Sequence, residues 1–149
     1  MNLISDPAHW IVVGVTLLVV CLCVGLHYEV LSGCSRFISP AIRTHRRDTI
    51  FLILVIMAAH VVEMWFFAIG YFFMSGFEEL GTLAGLELNT LVDYAYYSAM
   101  VYTTVGFGDI VPVGAIRFLS GMEALTGLVM ITWSASFTFL VMQRYWGSD

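Results

Sequence analysis

The segment from Thr103 to Asp109 has residue types and a spacing that suit the binding of a dehydrated cation. It reads Thr103-Thr104-Val105-Gly106-Phe107-Gly108-Asp109. A cation that sheds its water needs replacement oxygens, which backbone carbonyls supply when successive residues alternate between right- and left-handed conformations. Glycine tolerates the left-handed conformation, and Gly106 and Gly108 stand at alternate positions. We therefore predict a ladder of carbonyls here, with the Thr104 hydroxyl at its inner end and the side chains of Val105 and Phe107 turned away.

One chain supplies only one side of such a ladder. A closed ring of oxygens requires several copies around a common axis, and a cyclic homo-oligomer is the natural arrangement. Irregular backbone is tolerated at membrane depth only where it is enclosed by protein or lines a water-filled path. The elements on either side must therefore surround this segment.

The composition indicates that these elements lie in lipid. Of the 149 residues, 60% are hydrophobic and 11% are charged, and the mean hydropathy is +0.89. Soluble domains carry about 25% charged residues, and a chain this short cannot bury so large an apolar fraction. The net charge of -5, with six arginines and no lysine, excludes a basic surface for nucleic acid. No segment remains to house a ligand-binding domain, so we predict no soluble partner.

Three apolar stretches are long enough to cross a bilayer core about 30 Å thick, which takes about 20 helical residues. They run from Trp10 to about Leu31, from Ile50 to about Phe77 and from Arg117 to about Gln143. The stretch from Asn89 to Thr104 is apolar and aromatic but too short to cross, so we predict a re-entrant helix. The predicted fold class is an all-α membrane protein of three transmembrane helices, a re-entrant pore helix and a filter loop.

The arginines predict the orientation of the chain. Five of the six lie in the 32–49 loop or after the third span, namely Arg36, Arg43, Arg46, Arg47 and Arg144. By the positive-inside rule that side is cytoplasmic. In the plasma membrane, this places the N-terminus outside the cell and the C-terminus in the cytoplasm. We divide the chain into an N-terminal helix with its loop (1–49), a pore domain (50–143) and a short cytoplasmic tail (144–149).

The segment 103–109 closely resembles the selectivity filter of potassium channels, in which tyrosine is more usual at the position of Phe107. Its setting between a half-length helix and a full span resembles that family over roughly residues 50–143. The resemblance implies a homotetramer in a lipid bilayer that conducts K⁺ passively. The first span lacks the arginine at every third position that a voltage-sensor helix carries, so we predict no voltage-sensor domain. It implies no cofactor besides the permeant K⁺ ions. The implied filter positions are Thr104, Val105, Gly106, Phe107 and Gly108.

The same resemblance assigns supporting positions next to the filter. Thr103 and Asp109 flank it, and Tyr96 and Tyr97 match aromatic positions that brace it, although interfacial packing is an equal alternative for both tyrosines. Gly127 lies close to the position where the inner helix of potassium channels often bends. A glycine in a membrane helix also permits close helix packing, so hinge and packing roles both stay open.

Three ionisable residues lie inside the predicted spans, where such groups are costly and face protein or water. They are His60 and Glu63 in the second span and Glu123 in the third. At about 1.5 Å per residue, both carboxylates reach the depth of the pore helix. We predict that Glu63 and Glu123 hydrogen-bond to each other behind the filter, with His60 on the same helical face as Glu63.

Two roles are open for this predicted carboxylate pair. It could gate the pore by taking up a proton, because two carboxylates in a poorly hydrated pocket do not both ionise easily. It could also be a purely structural network. A metal site is disfavoured, because we expect His27 near the cytoplasmic interface, away from His60 and Glu63.

Two other functions share some of these features. A potassium-uptake transporter subunit also uses filter-like loops, but normally carries four nonidentical copies in one chain. A helical scaffold of a redox or transport complex could use His60 as a haem ligand. The single filter favours a channel, and we expect no enzymatic activity.

Overall fold

The computed structural model describes residues 7–37 and 46–146. The described residues form four helices, one short 3-10 turn and two short strands. The predicted orientation relies in part on Arg43, and the predicted cytoplasmic tail includes residues 147–149. These residues lie outside the described residues. Both predicted domain boundaries, at 49/50 and at 143/144, fall within helices.

Three long helices correspond to the three predicted spans. They are α1 (Pro7–Phe37), α2 (Arg46–Met74) and α4 (Arg117–Trp146). Each contains a stretch long and apolar enough to cross a membrane, and at about 1.5 Å per residue each is longer than the bilayer core is thick. The three predicted spans are therefore confirmed.

The bounds of these helices differ from the predicted ones. α1 and α2 take up much of the predicted 32–49 loop, because a helix continues past the apolar core wherever its polar residues reach the interface and no helix breaker intervenes. α2 stops at Met74, three residues before the predicted end, where the chain turns at Ser75 and Gly76 and the Phe77 amide donates to the Met74 carbonyl.

The short helix α3 (Leu91–Tyr102) has 12 residues, or about 18 Å of helix, and so cannot cross the bilayer. It begins at a capping box: the Thr90 side chain accepts from the helix backbone, and the Asp93 carboxylate accepts from the Thr90 amide at 2.7 Å. This cap accepts amide hydrogens that would otherwise lack partners. The predicted re-entrant helix is present, about two residues shorter at each end.

A two-stranded sheet was not predicted and adds a small β element to the helical fold. β1 (Thr82–Gly85) and β2 (Ile110–Val113) pair antiparallel, with Thr82 opposite Val113 and Gly85 opposite Ile110. A Cβ atom at Gly85 would lie 2.0 Å from the Asp109 carbonyl oxygen, so only glycine allows the strands to approach this closely. The sheet joins the segment before α3 to the segment after the filter.

The helices pack into a main core that includes α3 and a smaller cluster formed by α1, α2 and α4. α1 contacts both α2 and α4, and α3 lies against α2 and α4. Helix α1 thus packs against α4 as well as against α2. The side chains at the centre of this core are almost fully buried and include Cys23, Phe67, Tyr71, Tyr102, Ile116 and Leu119.

Candidate functional site

The backbone from residue 104 to residue 108 alternates in handedness. Thr104, Gly106 and Gly108 have φ values of +60°, +49° and +79°, whereas φ is negative at the residues between them, Val105 and Phe107. A threonine seldom adopts a positive φ, and the left-handed region costs an L-residue about 1–2 kcal/mol. The expectation of alternating conformations at the two glycines therefore extends one residue further, to Thr104. The surrounding contacts must hold Thr104 in this conformation.

Hydrogen bonds at the end of α3 hold the start of this segment. The amides of Thr103, Thr104 and Gly106 donate to the carbonyls of Ala99, Val101 and Met100, at 3.2, 2.9 and 3.1 Å respectively. The Thr103 hydroxyl also donates to the Ala99 carbonyl, at 2.7 Å. The segment therefore continues directly from the C-terminal end of the pore helix, whose dipole favours a cation there.

The side chains of the filter segment are poorly covered by their own chain. Residues 103–108 are all exposed, with Val105 54% and Phe107 70% exposed. The packing of these two apolar side chains against surrounding helices stays a prediction. A surface of this kind needs another partner to cover it.

Asp109 holds the outer end of the segment. The Tyr96 hydroxyl donates to Asp109 Oδ2 at 2.7 Å, and the Leu86 amide donates to the Asp109 carbonyl at 3.1 Å. The hydrogen bond to Asp109 raises the pKa of the Tyr96 phenol, because ionising the phenol would remove its donor and bring two negative charges together. Tyr96 thus connects α3 to the residue that follows the filter segment, and its role in bracing the filter stays a prediction.

Tyr97 takes a different direction from Tyr96. It is buried, and its hydroxyl lies 2.9 Å from Ser120 Oγ on α4. Its ring packs edge-on against Tyr71 of α2, with a centroid distance of 4.9 Å. Tyr97 therefore joins the pore helix to α2 and α4. It also lines the same cavity as Gly106 and Gly108, so its role in supporting the filter stays a prediction.

Glu123 is fully buried behind the pore helix. The hydroxyls of Tyr71 and Ser98 each donate to its carboxylate at 2.5 Å, and the Tyr71 hydroxyl also lies 3.2 Å from Ser120. These contacts connect α4 to α2 and to the middle of α3. A buried carboxylate with such partners stabilises the packing of three helices.

Glu63 is also fully buried, but in a separate network one turn nearer the filter. The Tyr102 hydroxyl donates to Glu63 Oε2, and His60 Nδ1 lies 3.1 Å from the same oxygen. The predicted contact between His60 and Glu63 is therefore present. The predicted hydrogen bond between Glu63 and Glu123 is wrong, because each carboxylate is bonded to its own partners on the pore helix and neither is bonded to the other.

His27 is the main residue that sequence reasoning placed wrongly. Its Nδ1 lies 2.8 Å from Glu63 Oε1, and its ring packs on Trp133 with a centroid distance of 5.2 Å. The expected position near the cytoplasmic interface fails because α1 continues to Phe37, ten residues beyond His27 and about 15 Å along the axis. A histidine inside an apolar span was itself a signal that a buried partner exists.

Gly127 lies where α4 touches the end of the pore helix. A Cβ atom there would be 2.0 Å from the Tyr102 carbonyl oxygen and 3.0 Å from the Tyr102 ring. Helix α4 is continuous through this position. Close packing against Tyr102 therefore explains this glycine, and the hinge role stays a prediction.

The chain is similar to two curated bacterial proteins over part of its length. It is 45% identical over 47 residues to Protein LctB of Geobacillus stearothermophilus, which covers 32% of this chain and 35% of that protein. It is 42% identical over 44 residues to Protein LctB of Bacillus caldotenax, covering 30% of this chain and 33% of that protein. The matches thus span about a third of the length of each relative. No solved structure matches the chain.

A match to a protein family covers most of the chain. Residues 50–144, which contain α3, the filter segment and nearly all of α2 and α4, match the family described as ion channels. This agrees with the resemblance carried by the segment 103–109. The chain is therefore a multi-pass membrane protein that belongs to the ion channel family.

Proposed function

We propose that this protein is a K⁺-selective channel that conducts ions passively through a pore formed by four copies of the chain. The observation that carries the proposal is the alternating backbone of residues 104–108, which begins at the C-terminal end of a half-length helix. Such a backbone can present successive carbonyl oxygens to one path, as K⁺ filters do. The filter residues in this proposal are Thr104, Val105, Gly106, Phe107 and Gly108.

The uncovered filter supports the proposal of four copies. One chain contributes one filter segment, and its apolar side chains Val105 and Phe107 remain 54% and 70% exposed among the described residues. Copies arranged around an axis would cover these side chains and close the ring of oxygens at the same time. A single filter in the chain also favours a homomeric channel over a transporter subunit with four nonidentical repeats.

The proposed setting is the plasma membrane, with the N-terminus outside and the C-terminus in the cytoplasm. The arginine distribution supports this orientation. The filter then opens to the outside through Asp109, and the pore helix points inward. Membership of the ion channel family favours conduction over the scaffold or redox alternative.

Purified protein in sealed vesicles tests conduction and selectivity together. We expect Rb⁺ uptake into K⁺-loaded vesicles, and a reversal potential that follows the K⁺ gradient and ignores the Na⁺ gradient. Equal permeability to Na⁺ and K⁺ would contradict the proposed selectivity. In mild detergent, a native mass of one or two chains with flux intact would contradict the tetramer.

A matched pair of glycine variants connects the flux to the filter. Gly108 has φ +79°, and an alanine at this position would cost about 1–2 kcal/mol in every copy to hold the same left-handed conformation. We therefore expect Gly108→Ala to lose flux or selectivity. In Gly14→Ala, the new methyl on α1 meets nothing within 4 Å in the chain, so flux should persist. Equal flux and selectivity in the two variants would remove residue 108 from the filter.

A further inference from the structure

The cluster around His27 has the donor atoms of a transition-metal site. His27 comes from α1, and His60 and Glu63 come from α2. One ligand atom from each, two imidazole nitrogens and one carboxylate oxygen, lie within 4.8 Å of one another. The side chains of His27 and Glu63 are buried and that of His60 is 13% exposed. Two imidazoles with one carboxylate form a ligand set that suits Zn²⁺ and leaves a fourth position open.

The two Nδ1 atoms contact different oxygens of the Glu63 carboxylate and stand slightly closer to them than the ligands of a tetrahedral ion stand to one another. Ligands about 2.0–2.1 Å from Zn²⁺ stand about 3.3 Å apart. His27 Nδ1 is 2.8 Å from Glu63 Oε1, and His60 Nδ1 is 3.1 Å from Glu63 Oε2. The Tyr102 hydroxyl, 3.0 Å from His60 Nδ1, lies next to the fourth position. Small side-chain movements are therefore sufficient to admit an ion.

Ser134 supplies the outer partner that such histidines require. Its hydroxyl oxygen lies 3.1 Å from His27 Nε2 and 3.0 Å from His60 Nε2. When both Nδ1 atoms bind a metal, both Nε2 atoms carry a proton, and the two lone pairs of this one oxygen accept both N–H groups. The Nδ1 atoms thus point to the carboxylate, and the Nε2 atoms point to a shared acceptor.

Without an added cation, the same ring of contacts is one proton short. Four contacts join Glu63 to His27, His27 to Ser134, Ser134 to His60 and His60 back to Glu63. Two neutral imidazoles and one hydroxyl bring three protons, and an ionised carboxylate brings none. One contact is therefore left without a hydrogen. A proton supplies the missing hydrogen, whereas a metal ion bound by the Nδ1 atoms and the carboxylate replaces the two contacts to Glu63.

We propose that His27, His60 and Glu63 form a binding site for a Zn²⁺-type ion that ties α1 to α2 behind the pore helix. The proposal stands independently of the proposed K⁺ conduction. The two Nδ1 atoms and one carboxylate oxygen are the ligands. Ser134 orients both rings, and the Tyr102 hydroxyl donates to the carboxylate. The competing occupant of the same place is a proton.

Metal titration of the purified full chain tests the site. The protein is freed of metal with a chelator, titrated with Zn²⁺ against an indicator, desalted, and assayed for bound zinc. We expect about one Zn²⁺ per chain in the wild type. In His27→Gln and Glu63→Gln, affinity should fall by at least about 10- to 100-fold, the loss found even for outer partners of a metal. His9→Gln, on the same helix as His27, is the matched control and should bind as the wild type does.

Two further measurements decide the outcome even where a variant folds poorly. Co²⁺ added to the wild type should give the strong visible absorption of a four-coordinate ion. Ser134→Ala keeps all three ligands, and its Zn²⁺ affinity should fall by about 10- to 100-fold. Wild-type protein that retains no zinc and shows no such Co²⁺ spectrum would show that the cluster holds only a proton. Equal zinc binding by Glu63→Gln and His9→Gln would place the ion elsewhere.

Discussion

Replacement of Gly127 by alanine tests the contact between the inner helix and the end of the pore helix. The added Cβ would lie 2.0 Å from the Tyr102 carbonyl oxygen and 2.8 Å from its carbon. The two nearest atoms belong to the backbone of α3, so rotating a side chain cannot relieve the clash with them. α4 and α3 must move apart by about 1 Å or more before the methyl fits, since carbon atoms in contact stand about 3.5–4.0 Å apart.

The size of the effect follows from two opposing contributions. Overpacking of a tight contact costs about 1–3 kcal/mol. Alanine in place of glycine in a helix interior returns about 0.8–1.0 kcal/mol. Gly121→Ala gives the second contribution without the first, because a Cβ at Gly121 on the same helix meets none of the described residues within 4 Å. The difference between the two variants is therefore about 1–3 kcal/mol, and Gly127→Ala is the less stable.

Thermal unfolding of the two variants in the same detergent measures this difference. For a protein of this size, 1 kcal/mol corresponds to a shift in Tm of about 2–4 °C, so Gly127→Ala should melt about 2–12 °C below Gly121→Ala. Its Rb⁺ flux should also fall, because Tyr102 immediately precedes Thr103 and the filter. Equal Tm and equal flux in the two variants would refute the close approach of α4 to Tyr102.

Two further predictions concern the pore helix and its partners. Tyr71→Phe removes the hydroxyl that donates to Glu123 and should lower the free energy of unfolding by about 1–3 kcal/mol in denaturant titrations. The control is Tyr94→Phe, whose hydroxyl has no hydrogen bond among the described residues and whose loss should change this free energy little. Equal losses in the two variants would contradict the hydrogen bond from Tyr71 to Glu123. The pKa of Asp93 lies below its usual range because its carboxylate accepts hydrogen bonds from the backbone and side chain of Thr90 and from the backbone of Asn89. The ionised cap therefore stabilises α3 fully above about pH 4, the usual pKa of the group. This stabilisation is lost as pH falls through the lowered pKa. Tm measured against pH should show this fall in the wild type and not in Asp93→Asn.

The features that could be predicted from the sequence depend on distance along the chain. The length of an apolar run decides whether a helix can span the membrane, and the rise per residue gives the depth of a side chain. Both carboxylates were therefore predicted at the depth of the pore helix, and both contact it: Glu63 through Tyr102 and Glu123 through Ser98.

The features that could not be predicted depend on the rotation of each helix about its axis. Depth does not determine which neighbour a side chain faces, so Glu63 and Glu123 were paired with each other although they face different partners. His27 was separated from Glu63 because the end of α1 was placed too early. The β1 and β2 strands have four residues each and lack a clear alternation of apolar and polar residues, so no periodic signal indicated them.

The buried contact between His27 and Glu63 limits how the pore can be transplanted. The match to the ion channel family begins at residue 50, and a chimera built on that boundary would leave α1 behind. Glu63 Oε1 would then lose the hydrogen-bonding partner that the described residues give it, and the α1-facing sides of α2 and α4 would be opened to lipid. A functional graft must therefore carry α1 with it, or replace Glu63 by an uncharged side chain that needs no donor from that helix.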